Sequence, residues 1–149
     1  TVQDCTLDAY EPDDSSGVAR TITAGLSQSH SLCSIGDEDW MKFTLAGTSQ
    51  VVAQTSGSTG DTRMWLFGGP LNEIEYNDDS GVGAFSRIDR QCGVDPLAAG
   101  TYYVKVDEYL DNGFVQSYTA SLEVISCSTL IFADGFDNGN TASWSTSVP

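Results

Sequence analysis

The chain is 149 residues long, the size of one domain and enough to bury a core. Six Lys and Arg stand against twenty-one Asp and Glu, a formal charge of −15 that repels phosphate backbones and excludes nucleic acid as a partner. No stretch approaches the roughly 20 apolar residues of a membrane span, and the four cysteines, with no C-x-x-C pair among them, suit two disulfides better than zinc.

In chain order, the N-terminus TVQDCTLD carries neither a basic nor an apolar signal region, so an export signal is expected to be removed or to lie outside this sequence. YEPDDS follows, with Glu11, Asp13 and Asp14. Pro12 stiffens the run, so Glu11 and Asp13 can point to one side of an extended chain. SQSHSLC reads as a strand bearing the single histidine, His30. GDEDW places Asp37, Glu38 and Asp39 at a strand entry, where Asp37 and Asp39 project to one side. That strand, EDWMKFTL, alternates Met41, Phe43 and Leu45 with Trp40, Lys42 and Thr44. QVVAQTS, TRMWLF, GTYYVKV and SYTASLEVI read as further strands, the last with Tyr118, Ala120, Leu122 and Val124 on one face. Turn residues collect between them in SGSTGD, GGPLN, YNDDSG and DEYLDNG. The pattern predicts an all-β fold, an antiparallel, jelly-roll-like sandwich over residues 1–127, with most aromatics in its core. Residues 128–149 read as a closing strand and an irregular Gly/Asn/Ser-rich tail.

Fifteen of the acids are Asp, a turn residue and a compact ligand for hard cations. Bringing Glu11, Asp13, Asp14, Asp37 and Asp39 together without a cation would cost several kcal/mol of repulsion. Calcium, which takes about six to eight oxygen ligands, suits such a set. Two solvated acidic turns are the alternative, and the residues alone leave it open. A second metal candidate joins Asp61 to Asn77, Asp78 and Asp79, although NDDS is also a strong turn signal. DEYLDNG lacks the D-x-D-x-D-G spacing of a calcium loop, and in DGFDNGN Phe136 falls where a ligand is needed. With one histidine and neither G-x-S-x-G nor H-E-x-x-H, no enzymatic activity is expected.

Four motifs in order carry a resemblance. D-x-Y-E-P-D-D-S from Asp8 with Ala19 and Ile22, then G-D-x-D-W-x-x-F from Gly36, N-D-D-S from Asn77 and G-T-Y-Y-V from Gly100 are similar to the bacterial pre-peptidase C-terminal domain, over roughly residues 5–125. The resemblance implies a β-sandwich at the C-terminal side of secreted proteases and other exported enzymes. The collagen-binding modules of clostridial collagenases belong to that family and bind calcium through the matching segments. Carried over, the implied ligands are Glu11, Asp13, Asp14, Asp37 and Asp39. Those modules have a further acid two residues before the glutamate. Here that position is Ala9, and Asp8 is the alternative donor. The implied function is a non-catalytic calcium-binding accessory module of a secreted bacterial protein. Such a module would bind an insoluble polysaccharide or protein polymer, or aid export and stability. The alternative is a structural extracellular protein that self-associates by strand exchange through a terminus.

Four cysteines permit three connectivities. If both acidic segments meet at one calcium ion, Cys5 and Cys33 come into bridging range, because each lies a few residues before one of them. Cys92 and Cys127 then pair, on the expectation that GTYYVKV and SYTASLEVI are antiparallel neighbours joined by DEYLDNG.

Overall fold

The computed structural model describes residues 5–127. The strands there are β1 (Arg20–Thr21), β2 (Ser27–Leu32), β3 (Glu38–Leu45), β4 (Ser49–Ser56), β5 (Thr62–Gly68), β6 (Glu73–Asn77), β7 (Arg87–Arg90), β8 (Gly100–Glu108) and β9 (Val115–Ser126). They form a five-stranded sheet in the order β1-β3-β8-β5-β6 and a four-stranded sheet in the order β2-β9-β4-β7. All ladders are antiparallel except the two-residue pairing of β1 with β3. The expected β-sandwich is therefore the fold, with one short parallel pair added. The closing strand and tail expected over 128–149 lie outside the described residues.

Alternation builds the core as anticipated. Met41, Phe43 and Leu45 of β3 pack with Val104 and Val106 of β8 and Met64 and Leu66 of β5. Val51 and Ala53 of β4, Ile88 of β7, and Tyr118, Ala120 and Leu122 of β9 complete it from the second sheet. One polar knot sits inside. The Thr55 and Thr62 hydroxyls are 2.7 Å apart, Ser86 Oγ lies 3.2 Å from Thr62 Oγ1, and Ser86 N donates to Thr55 Oγ1 at 2.9 Å.

Three strands, the two-residue β1 and also β6 and β7, were not anticipated. Glu-Ile-Glu-Tyr-Asn and Arg-Ile-Asp-Arg each offer one aliphatic side chain, too few for a visible alternation. Charge pairing supplements that packing: Arg90 Nη1 meets Glu75 at 2.9 Å and Arg87 Nη2 meets Asp89 at 3.0 Å.

Both expected disulfides are formed, Cys5–Cys33 and Cys92–Cys127, with Cα atoms 5.1 and 5.5 Å apart. The geometry behind the second differs from expectation. β8 and β9 are not neighbours; the loop between them crosses from one sheet to the other. Cys92 and Cys127 meet because β7 and β9 flank β4 on its two sides, and both cysteines lie beyond the strand ends next to the start of β4. A backbone bond from Cys127 N to Thr48 O at 2.9 Å holds that end.

Candidate cation site

The segment from Cys5 to Asp14 contains no strand and is held by side chains. Cys5 is bridged to Cys33, and Ser31 Oγ donates to Thr6 O at 2.9 Å. Asp8 accepts from Tyr10 N and from Ser31 N, each at 2.7 Å. Arg20 donates through Nε to Tyr10 O and through Nη2 to Pro12 O at 3.3 Å. Trp40 N of β3 donates to Asp13 O at 2.9 Å. The Glu11–Pro12 peptide is cis.

This arrangement brings the two acidic segments together. Asp39 faces inward at the start of β3, in line with Met41 and Phe43, and is fully buried, as is Asp13. Asp37 is buried and Glu11 half-buried. One oxygen from each of Glu11, Asp37 and Asp39 lies within 4.8 Å of the others. Asp14 is exposed at the rim, with its carboxyl beside that of Asp37. Some oxygens have partners: Asp37 Oδ2 accepts from Cys33 N at 2.6 Å, and Asp39 Oδ2 from the Tyr118 hydroxyl at 2.5 Å. Others have none. Glu11 Oε1, both Asp13 carboxylate oxygens and Asp39 Oδ1 are buried without a hydrogen bond.

The electrostatic result is a set of carboxyls that resist ionisation. Burial, reinforced by Glu11 and Asp8, pushes Asp13 up to about 7. Burial pushes Asp39 up to about 9 against the Tyr118 hydrogen bond, with Asp13, Asp37 and Asp8 adding to the rise. Glu11 and Asp37 are raised as well, first by burial and then by neighbouring acids. Arg20, the cation closest in chemistry, spends its guanidinium on two carbonyls. Orphaned, buried, mutually repelling carboxylate oxygens match the donor set of a hard divalent cation, so the residues fit calcium.

Two members of the cluster were not foreseen as such. His30, 1% exposed on β2, lies stacked between Tyr10 and Tyr118, with ring centroids 4.5 and 5.6 Å away. Its Nδ1 sits 3.8 Å from Oδ2 of Asp8, Asp13 and Asp39. The inward parity of Tyr118 with Ala120 and Leu122 was the available signal; which strand it would face was not.

The second candidate group is assembled only in part. Oxygens of Asp61, Asp78 and Asp79 lie within 4.8 Å of one another, and Asp61 is raised by burial and by its two neighbours. Asn77 does not join them. Its Oδ1 accepts from Ser80 N and Arg87 N at 3.1 and 2.9 Å, closing the turn that the NDDS run signals.

The aromatics divide differently from expectation. Phe43, Phe85, Tyr102 and Tyr118 are core, but Trp40, Trp65, Phe67, Tyr76 and Tyr103 have the opposite parity and line the outer face of the five-stranded sheet. Ladder register sets Trp40, Lys105, Trp65 and Tyr76 in one row across four strands. Lys105 Nζ lies 4.1 Å and the Arg63 guanidinium 5.2 Å from the Trp65 ring. Lys105 also pairs with Glu38 at 2.9 Å and Arg63 with Asp107 at 2.8 Å. Burial opposes it, yet Lys105 and the Trp40 indole N–H hold Glu38 below its usual value. A separate groove of about 580 Å³ runs past Thr21, Phe43, Leu45 and Val124. It lies at the far end of β3 from the carboxylates.

Comparison with known proteins finds one family similar to the central part of the chain. The family described as the bacterial pre-peptidase C-terminal domain matches residues 37–108, from Asp37 before β3 to the end of β8. Those residues are similar to that family. The matched stretch holds Asp37 and Asp39, whereas Glu11 and Asp13 reach this domain from the segment before it. Among solved structures, the pre-peptidase C-terminal domain of a collagenase from Bacillus anthracis is similar in fold. Its TM-score is 0.56 at 19% identity, covering 70% of this chain and 94% of that one. PliG, a periplasmic inhibitor of g-type lysozyme from Aeromonas hydrophila, aligns with a TM-score of 0.50 at 11% identity, covering 72% and 97%. At these identities the likeness is one of fold. No curated protein matches the chain.

Proposed function

We propose that the chain is a pre-peptidase C-terminal domain acting as a non-catalytic, calcium-binding accessory module of an exported protein. The observation that carries the proposal is the group of buried, unpartnered carboxylate oxygens on Glu11, Asp13 and Asp39. Glu11, Asp13, Asp37 and Asp39 are the ligands, with Asp14 at the rim. The ion neutralises the cluster and fastens the N-terminal segment to β3. Two disulfides suit an oxidising compartment outside the cell. The outer aromatic row supports a polymer partner. In a chain of charge −15, it gathers three of the six cations, Lys42, Arg63 and Lys105, beside stacking surfaces.

Calorimetric titration of chelator-stripped protein with calcium tests the metal. Binding is expected, lost in Asp39→Ala and retained in Asp111→Ala. No heat, together with superimposed melting curves in chelator and in millimolar calcium, rejects it. Co-sedimentation with insoluble polysaccharides and protein fibres tests the polymer. Retention is expected to fall in Trp40→Ala at unchanged melting temperature, and a panel that retains nothing rejects that half.

A further inference from the structure

His30 is a buried ionisable side chain beside the cluster that the calcium proposal leaves without a task. Its ring is held by stacking on both faces, and Nε2 lies 3.2 Å from Gln28 Oε1. An N–H at Nε2 donating to that amide oxygen leaves Nδ1 with a bare lone pair. The lone pair is buried and has no hydrogen-bond partner. It is surrounded by acceptors, since the nearest polar atoms around it include three carboxylate oxygens at 3.8 Å, on Asp8, Asp13 and Asp39. That separation is too long for a direct hydrogen bond. None of the three oxygens reaches that lone pair with a hydrogen bond, so the nitrogen and the carboxyl oxygens are a donor set without an occupant.

We infer that Asp8, His30 and Asp39 form a second cation position beside the calcium ligands, one that selects a nitrogen-accepting divalent ion such as zinc. The inference rests on the cluster being a cation site but not on calcium being the ion held there. Oxygen-only cations gain little from an imidazole, whereas zinc binds nitrogen and carboxylate oxygen alike. Zinc takes both donors at about 2.0–2.2 Å, so a tetrahedral site spaces nitrogen and oxygen about 3.3–3.5 Å apart. The pocket is a few tenths of an ångström wider and would close on the ion. Asp39 is common to both positions: Asp8, His30 and Asp39 form one group with ligand atoms within 4.8 Å, and Glu11, Asp37 and Asp39 form the other. Its orphaned Oδ1 and its Oδ2 give it the two donors a bridging carboxylate needs. Gln28 and the two tyrosines supply the outer contacts that fix ring orientation.

The chain has a single histidine, so its imidazole signals need no assignment by mutagenesis. Protein labelled with ¹⁵N-histidine is saturated with calcium and then titrated with zinc. The expected result is a large shift of the Nδ1 resonance at stoichiometric zinc, with Nε2 little moved, and at least a tenfold loss of zinc affinity in His30→Gln while calcium binding stays within threefold. Zinc that binds with the His30 resonances unmoved sits on surface carboxylates and overturns the inference. Zinc that shifts His30 only by expelling calcium overturns the separate second position. No zinc binding, with calcium binding intact, overturns the inference and leaves the calcium site standing. Failure of both metals removes the cation site altogether.

Discussion

In the presence of chelator, the domain is expected to lose stability as the pH rises from 5 to 7, and calcium is expected to abolish most of that loss. Asp13 and Asp39 sit at about 7 and about 9 when folded, against 3.8 for an ordinary Asp carboxyl. A folded value above the unfolded one gives stability that is complete below the unfolded value and disappears as the pH climbs through the folded one. Between pH 5 and pH 7 the unfolded chain has released both protons, while the folded chain still holds most of them. Each such proton costs about 1.4 kcal/mol per pH unit, so two groups over two units cost on the order of 5 kcal/mol. Domains of this size have about 5–15 kcal/mol in total. A fall in melting temperature of roughly 20 °C follows. Above pH 7 the slope halves, because Asp13 has given up its proton and only Asp39 continues to titrate. Bound calcium holds both groups ionised at either pH, so its stabilising increment widens with pH. At a free concentration 100 times the dissociation constant that increment is about 2.7 kcal/mol. Scanning calorimetry at several pH values, in chelator and in millimolar calcium, measures both curves. A chelator curve that is flat or rising from pH 5 to 7 refutes the reasoning, as does a calcium increment equal at both ends.

Asp39→Asn keeps the Tyr118 contact and spares the folded chain the proton that Asp39 must hold at pH 7.5; it is expected to stabilise the chelated protein there by on the order of 2 kcal/mol or more and to erase the calcium increment, both read by calorimetry. The paired change Cys92→Ser and Cys127→Ser opens a link spanning 35 residues and is expected to cost about 4 kcal/mol in a denaturant melt. Thr55→Val leaves Ser86 N and Thr62 Oγ1 each short of a partner inside the core; a loss of about 1–3 kcal/mol is expected, and an unmoved urea midpoint would show the knot to be dispensable.

What the sequence revealed followed from local periodicity. Met41, Phe43 and Leu45 announced one face of β3, and Tyr118, Ala120 and Leu122 one face of β9, because a strand's two faces are written in alternate residues. The paired acidic segments were equally legible, since charge density at a turn and a strand entry is a local property. What stayed hidden depends on which strand neighbours which. β8 and β9 are consecutive yet belong to different sheets, so the Cys92–Cys127 bridge could be named without its cause being known. Trp40 and Trp65 are outer-face residues by parity, but their row with Lys105 and Tyr76 exists only once three ladders are in register. His30 joins the carboxylates by the same kind of long-range placement, from β2 at the edge of the opposite sheet.

The placement of the carboxylate cluster ties the two sheets and the N-terminal segment to one another. Asp39 comes from β3 of the five-stranded sheet, His30 and Tyr118 from β2 and β9 of the four-stranded sheet, and Asp8, Glu11 and Asp13 from a segment belonging to neither. That segment brings almost no hydrophobic driving force of its own. Leu7, its one aliphatic residue larger than alanine between Cys5 and Asp14, is 62% exposed. Its order therefore rests on ties other than apolar burial: a disulfide, an arginine on two carbonyls, a few backbone bonds, and carboxylates that repel one another until a cation arrives. Two of these ties are conditional. The disulfide needs an oxidising compartment, and the proposed calcium site needs free calcium, which extracellular modules bind at about 10⁻⁴–10⁻³ M. Both conditions are met outside the cell. The sandwich core rests on apolar packing between the sheets, whereas on the proposed reading the segment that completes the cation site is fully fastened only where both the oxidant and the ion are present.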